Sequence, residues 1–188
     1  MGQLINFTYK LDEGDFARLS QKLQELAGDK ARTYIARALN KTATSARVKL
    51  AQKAQASYTV KTGGFKKDMQ IDKASAGNLV ATIRSSGNTL EVKKFHYSTP
   101  QTGVKIDVVR SGLKPIIKYG NKAFVGKGKA NGQVYVRTSS ARLPIEKIKS
   151  KSVPYMIGSE PRVWGPMRPQ IGADLQKYMR QQIALLVG

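Results

Sequence analysis

The sequence predicts an α+β fold in which helices at both ends of the chain flank a central, mostly antiparallel sheet. Apolar residues recur at helical spacing near both ends, whereas the middle holds short alternating segments separated by glycine and asparagine. Strand and helix patterns do not alternate along the chain, which argues against a parallel sheet. A chain of 188 residues, 40% of them hydrophobic, is long enough for a folded domain with its own core.

We expect a single domain, residues 1–188, built from four consecutive parts. They are a strand plus a short helix (1–29), a long basic helix (30–57), a sheet with long loops (65–157), and a proline-rich connection with a C-terminal helix (158–188). No internal repeat and no linker rich in serine and glycine divides the chain.

The first part begins with an alternation of apolar and polar residues that predicts a strand over Gln3–Tyr9. Asp12 is a suitable N-cap for a short helix. The apolar residues that follow at helical spacing are Phe16, Leu19, Leu23, Leu26 and Ala27. Gly28 ends this helix, because glycine accepts the left-handed backbone that often follows a helix.

A second, longer helix is predicted from Lys30 to Ser57, with Asp29 as its N-cap. At ~1.5 Å per residue it reaches about 40 Å. One face consists mostly of small residues: Ala31, Ile35, Ala38, Leu39, Thr42 and Ala46. Four cations occupy the opposite face: Lys30, Arg37, Lys41 and Arg47. After Leu50 the apolar stripe weakens, so the far end either leaves the domain to contact a partner or is simply exposed.

The middle of the chain begins with one helical turn over Phe65–Met69 and continues as strands. Turn signals at Ser75–Asn78 and at Gly87-Asn88 separate neighbouring strands. The strands are predicted at Gln70–Ala74, Leu79–Ser85, Leu90–Phe95, Val104–Arg110 and Ile116–Tyr119.

A hairpin is predicted next, formed by Ala123–Val125 and Gln133–Arg137. Its tip, Gly126–Gly132, carries Lys127 and Lys129 among three glycines and an asparagine, which is typical of a mobile loop. The tip does not match the G-x-x-x-x-G-K-[ST] pattern of a P-loop, and a strand follows it where a P-loop requires a helix.

The remaining connection is rich in proline, and we expect it to be extended and mostly irregular. Its prolines are Pro144, Pro154, Pro161, Pro166 and Pro169. The last helix is predicted over Met167–Val187, where apolar residues return to helical spacing.

The net charge of +21 is large for this length and unevenly placed. The first 29 residues hold five acids and three bases, whereas ten bases and no acid lie between Lys30 and Lys67, and eight bases and no acid between Val108 and Ile145. Runs of one sign attract polyanions. The alternatives are a solvated basic surface or pairing with an acidic neighbouring subunit. The residues predicted to face a polyanion or a partner are Lys30, Arg37, Lys41, Arg47, Lys127 and Lys129.

Signals for catalysis or metal binding are weak. The chain has no cysteine and one histidine, His96, with no nucleophile motif beside it. Asp68 and Asp72 are four residues apart, but the strand predicted between them separates their directions. The sequence therefore predicts no catalytic residue, no metal site, no cofactor and no small-molecule substrate. It lacks the run of ~20 apolar residues needed to span a membrane, and it lacks a signal-peptide core.

Three blocks of the sequence carry a family resemblance. The first is the helix Ala36–Tyr58, rich in alanine, arginine and lysine, and the second is Thr62–Ser86, with a Lys-Ala-Ser step before a strand. The third is Ala123–Ile157, a hairpin followed by the steps Leu143-Pro144 and Val153-Pro154. In this order the blocks resemble the minor tail protein Z family of tailed bacteriophages. The C-terminal helix lies outside them.

The resemblance implies a virion structural protein, not an enzyme, that completes the tail at the head–tail junction, or neck. Such proteins form rings, commonly sixfold, that join or seal the tail and help position the DNA end. The implied partners are further copies of the chain, the tail terminator, tail tube or head–tail connector proteins, and nonspecifically bound genomic DNA. The implied location is the tail of the virion, assembled in the host cytoplasm. The alternative is a nonspecific nucleic-acid-binding module with no role in a particle.

Overall fold

The computed structural model describes residues 3–7, 13–61, 65–127 and 132–187, and it confirms the α+β class. Three α-helices are present in this part of the chain: α1 (Glu13–Ser57), α2 (Val153–Ile157) and α3 (Gly165–Val187). Short 3-10 turns cover Phe65–Asp68 and Val92–Lys94, and a π-helical turn covers Glu160–Trp164.

The strands are short and all of their pairings are antiparallel. In chain order they are β1 (Gln3–Phe7), β2 (Met69–Asp72), β3 (Thr82–Gly87), β4 (Thr89–Glu91), β5 (His96–Ser98), β6 (Lys105–Asp107), β7 (Lys114–Pro115), β8 (Ile117–Lys118), β9 (Asn121–Lys122), β10 (Phe124–Val125), β11 (Val134–Arg137), β12 (Ile145–Lys147) and β13 (Lys149–Ser152). Their register is clearest where Gln3 pairs with Gly87 and Phe7 pairs with Ile83.

The central sheet differs from the prediction in its extent. In place of one sheet of about five strands, the described residues form five small sheets, ordered β1-β3-β2, β5-β6-β7, β8-β9, β10-β11-β12 and β13-β4. Residues with positive φ, among them Gly103, Arg110, Gly112 and Gly120, turn the chain between strands of two or three residues. Strands this short cannot continue into a wide sheet.

Helix α1 is interrupted at Gly28, where the predicted break occurs. Gly28 has φ 54° and ψ −132°, so the helix stops and restarts there. A positive φ costs glycine little because it has no Cβ. The predicted strand at Gln3–Tyr9 is confirmed over Gln3–Phe7, while its last two residues and Asp12 lie outside the described residues.

The part of α1 that follows Gly28 packs against α3. Ala31, Ile35 and Ala38 are buried together with Leu175 and Met179, as the small-residue stripe predicts. An ion pair joins the same two helices, since Lys49 Nζ lies 2.6 Å from Asp174 Oδ2, which also accepts a hydrogen bond of 2.7 Å from Ser45 Oγ. Burial opposes ionisation of Asp174, but these two hydrogen bonds outweigh it and lower its pKa below the usual value.

The second half of α1 is buried as well, so both expectations for its far end are wrong. Leu50 and Ala54 are completely buried, and Tyr58 just beyond the helix is 1% exposed. They belong to the largest core cluster, which includes Phe95 and Met156. At about 100° per residue, Leu50 and Ala54 face about 100° round the helix from Ala31 and its neighbours. The apolar stripe therefore rotates from α3 onto the other elements instead of ending.

The proline-rich connection is more regular than predicted. It contains β12, β13, α2 and the π-helical turn before α3 begins. Pro154 occupies the first turn of α2, where its missing N–H costs nothing, and Ser152 Oγ caps that helix by accepting from the backbone N–H of Tyr155. Pro154, Pro161 and Pro166 thus lie in the first turn of a helical segment and do not prevent it.

Glu91 connects two of the small sheets. At the end of β4 it accepts hydrogen bonds from Lys147 of β12 and from Lys93, whose Nζ lies 2.9 Å away. The hydrogen bond from Lys147, followed by that from Lys93, lowers the pKa of Glu91 to about 2.

The Glu91 cluster predicts a pH-dependent contribution to stability. Because the pKa is about 2 in the folded chain and 4.5 ordinarily, the contribution is complete above pH 4.5 and is lost as pH falls towards 2. Glu91→Gln is expected to lower the free energy of unfolding at pH 6 by about 1 kcal/mol, the upper range for surface pairs. Urea denaturation at pH 6, 4 and 3 should show that the difference in free energy of unfolding between the parent chain and the variant decreases as the pH falls. A difference that stays constant to pH 3 would contradict this, and Glu160→Gln is the surface-pair control.

Candidate functional site

Three cations line the outer side of the part of α1 that follows Gly28 and form what we call the α1 cationic face: Lys30, Arg37 and Lys41. All three are exposed. At about 100° and ~1.5 Å per residue they lie within about 40° of one another and span about 16 Å along the helix. The guanidinium carbon of Arg37 lies 5.0 Å from the ring centroid of Tyr34, within the range of a cation–π interaction. Because the opposite side of α1 packs onto α3, the α1 cationic face points towards solvent.

The other predicted cations are placed differently. Arg47 lies about 120° round the helix from Lys41, on the side where the second half of α1 is buried. It is half-buried, and its Nε is enclosed with no hydrogen-bond partner among the described residues. It therefore does not belong to the α1 cationic face. Lys127 is exposed at the start of the hairpin tip, while Lys129 lies outside the described residues.

The hairpin that carries Lys127 is confirmed. Phe124 pairs with Tyr135 and Val125 pairs with Val134, in the register that the predicted segments allow. A hydrogen bond of 2.8 Å from the Gly126 N–H to the Gln133 carbonyl closes its described part.

A loop that the sequence did not assign to the site lies against α1, on a different side of the helix from the α1 cationic face. The side-chain amide of Asn40 donates to the Ala74 carbonyl at 2.9 Å and accepts from the Ala74 N–H at 2.8 Å. Arg32 Nε donates to the Ala76 carbonyl at 2.6 Å. These bonds hold exposed Lys73 beside α1. The residue that could have indicated this loop contact in the sequence is Asn40. It is a poor helix former inside an otherwise favourable helix, and its side chain has both a donor and an acceptor.

The carboxylates that follow Asp29 are largely paired within the chain. Seven acids and thirty bases follow Asp29 in the sequence. Six of these seven carboxylates lie at ion-pair distance from a cation: Asp72 (Arg84), Glu91 (Lys93 and Lys147), Asp107 (His96), Glu146 (Lys118), Glu160 (Arg168) and Asp174 (Lys49). None of the seven pairs with a cation of the α1 cationic face, so the part of the chain after Asp29 does not neutralise its positive potential.

Residues 19–187 match the family of prophage minor tail protein Z (GPZ). The chain belongs to this family. The match covers the three blocks and also α3, which lay outside them. Neither the curated proteins nor the solved structures contain a significant match. As a member of the minor tail protein Z family, the chain is a structural protein of the bacteriophage tail and acts with other virion proteins.

Several basic side chains of this minor tail protein lie close to aromatic rings in the folded chain. Seven cation–ring contacts occur among the described residues, with distances to the ring centroid of 4.3 to 6.0 Å. Two of them join residues distant in the chain: Lys61 with Tyr97, at 5.2 Å, and Arg137 with Phe124, at 5.1 Å. A search for aromatics next to bases in the sequence cannot find such pairs.

The residues considered for catalysis or metal binding are scattered. His96 Nδ1 lies 3.9 Å from Asp107 Oδ2, and His96 is exposed on β5. Asp68 is the last residue of the 3-10 turn, and Asp72 is the last residue of strand β2. Asp72 Oδ2 lies 2.5 Å from Arg84 Nε. Within the described ranges, no group of three or more histidines and carboxylates is close enough to bind a metal ion, and no helix has the length and apolarity to cross a membrane.

Proposed function

We propose that this chain completes the phage tail at the head–tail junction, as a ring that joins or seals the tail and helps position the end of the genomic DNA. Membership of the minor tail protein Z family supports a place in the tail. The alignment of three exposed cations on the α1 cationic face is the observation that supports contact with a polyanion. The ring would be hexameric, to match a sixfold tail, and its neighbours would be the tail terminator, tail tube or head–tail connector proteins.

The α1 cationic face suits contact with a phosphate backbone. Duplex DNA carries one negative charge per ~1.7 Å of its axis, so a row of cations spanning about 16 Å meets several phosphates without reading bases. Arg37, held over Tyr34, offers a guanidinium of restricted orientation. Lys127 and Lys129 of the hairpin tip would add contacts that become ordered on assembly.

A neck ring and a free nucleic-acid-binding module differ in assembly. The ring requires oligomers by light scattering and rings at the head-proximal end of tails by electron microscopy. A binding module with no particle role would stay monomeric and leave particles unchanged when it is removed. Intact, infectious virions produced without the chain would therefore contradict the neck position.

Charge reversal tests the α1 cationic face. The triple variant Lys30→Glu, Arg37→Glu, Lys41→Glu is expected to bind duplex DNA more weakly, and the slope of log K against log[salt] should fall by about 0.9 for each phosphate that the variant no longer neutralises. Infectious titre should fall with it. Fluorescence anisotropy over a salt series measures the slope, and plaque counts measure the titre.

A matched control separates location from net charge. The variant Lys66→Glu, Lys67→Glu, Lys94→Glu makes the same change in charge at three exposed lysines that do not belong to the α1 cationic face. It is expected to leave the salt slope closer to that of the parent chain. An equal decrease in both variants would mean that net charge, and not the α1 cationic face, governs binding.

A further inference from the structure

Two neighbouring small sheets expose large apolar side chains. The surface that we call the distal sheet is formed by the β8–β9 sheet together with β12 and the loop that precedes β12. Four of its side chains are unusually exposed for their type: Ile117 (59%), Tyr119 (54%), Leu143 (66%) and Ile145 (38%). Soluble monomers rarely cluster such side chains at the surface unless another molecule covers them.

The distal sheet is held together by polar contacts. Asn121 Nδ2 lies 3.0 to 3.2 Å from three carbonyl oxygens, those of Tyr119, Arg137 and Ser139, which ties the β8–β9 turn to β11 and the loop. Glu146 accepts from Lys118 Nζ at 2.6 Å and from the Tyr119 hydroxyl at 2.9 Å. These hydrogen bonds therefore hold in place the backbone that carries the exposed apolar side chains.

Ile117 and Ile145 each immediately precede one residue of the ion pair between Lys118 and Glu146, and both are exposed. Successive side chains of a strand point to opposite faces, so each isoleucine points away from the face of its own strand that carries the ion pair.

The rim of the distal sheet is strongly basic. Its exposed cations are Lys114, Lys122, Arg137 and Arg142. The one carboxylate in this part of the chain, Glu146, is already paired with Lys118. An apolar centre with a polar rim is the usual composition of a protein–protein interface.

We propose that the distal sheet docks onto an acidic surface of a different tail protein. The rim requires carboxylates from its partner, and the seven carboxylates that follow Asp29 in a second copy are, with the exception of Asp68, already at ion-pair distance from its own cations. The docking depends on membership of the tail protein family, and not on the neck position or on contact with DNA, so that either of those can fail alone.

Site-specific photo-cross-linking in assembled tails tests the docking. Benzoylphenylalanine is introduced in place of Leu143 in one strain and in place of Leu185 in another, and the tails are irradiated and the adducts identified by mass spectrometry. Leu185 is the matched control because it is a leucine of equal exposure, 64%, on α3. The expected result is a cross-link from position 143 to a segment of another tail protein rich in Asp and Glu, absent or much weaker from position 185.

Other adducts overturn the proposal. A cross-link from position 143 to a second copy, including its acidic first 29 residues, would show self-association at this surface. A cross-link to DNA, or none in tails that contain the variant, would show that the distal sheet faces the genome or solvent.

A surface substitution provides an independent readout. Ile117→Asp is expected to reduce incorporation into tails about tenfold or more, equivalent to about 1.4 kcal/mol of docking free energy, with thermal unfolding unchanged. Leu185→Asp is expected to incorporate normally. Equal incorporation of the two variants overturns the proposal.

Discussion

Replacement of Leu50 by alanine is expected to lower the free energy of unfolding by about 2–5 kcal/mol, the range for truncating a fully buried leucine. Leu50 is completely buried in the second half of α1, in the same core cluster as Phe95 and Met156. The decrease combines the transfer of apolar groups with the cavity left behind. Urea denaturation followed by circular dichroism measures it.

The control for Leu50 is a neighbour on the same helix. Gln52 is exposed, so Gln52→Ala is expected to change stability by no more than about 0.5 kcal/mol. Equal, small effects of the two substitutions would mean that the far half of α1 is not held by the core, as the weakening stripe in the sequence had suggested.

Replacement of Gly165 by alanine is expected to destabilise the chain by about 1–3 kcal/mol or more. A Cβ at Gly165 would lie 2.3 Å from the backbone oxygen of Glu160, at the junction of the π-helical turn with α3. The backbone of Gly165 is right-handed helical, with φ −55° and ψ −54°. Helix propensity alone would therefore make alanine stabilising by about 0.5–1 kcal/mol. The sign of the measured change decides between the two effects.

Gly77 supplies the comparison for Gly165. It lies in the exposed turn between β2 and β3, where a Cβ would meet only Ser75 Oγ, at 4.0 Å. Gly77→Ala is expected to fall within about 0.5 kcal/mol of the parent chain. Thermal unfolding of each variant measures the effect. A Gly165→Ala variant at least as stable as the parent chain would show that the π-helical turn rearranges around the added methyl group without loss of stability.

Local patterns in the sequence were enough to predict much of the fold. The break at Gly28, the helix from Lys30 to Ser57, the hairpin at Phe124 and the last helix depend on residues close in the chain. The rotation of the apolar stripe could not be predicted, because it depends on elements that reach Leu50 from distant parts of the sequence. The division into small sheets likewise depends on backbone angles at residues such as Arg110, whose type does not demand a positive φ.

The candidate site was predictable to the same extent. Helical geometry placed Lys30, Arg37 and Lys41 on one exposed line, and the structure keeps them there. Arg47 satisfied the same pattern, but the core turns to its side of the helix. The position of Lys73 beside α1 and the pairing of the carboxylates after Asp29 depend on contacts between residues far apart in sequence. No local pattern encodes such contacts.

The pairing of the carboxylates has a consequence for the solution conditions that weaken the contacts of this tail protein. Since six of the seven carboxylates after Asp29 lie at ion-pair distance from cations of the same chain, the remaining exposed lysines and arginines are the charges that this part of the chain offers to other molecules. The strength of such contacts depends on the concentration of dissolved ions, because counterions compete directly for exposed lysines and arginines.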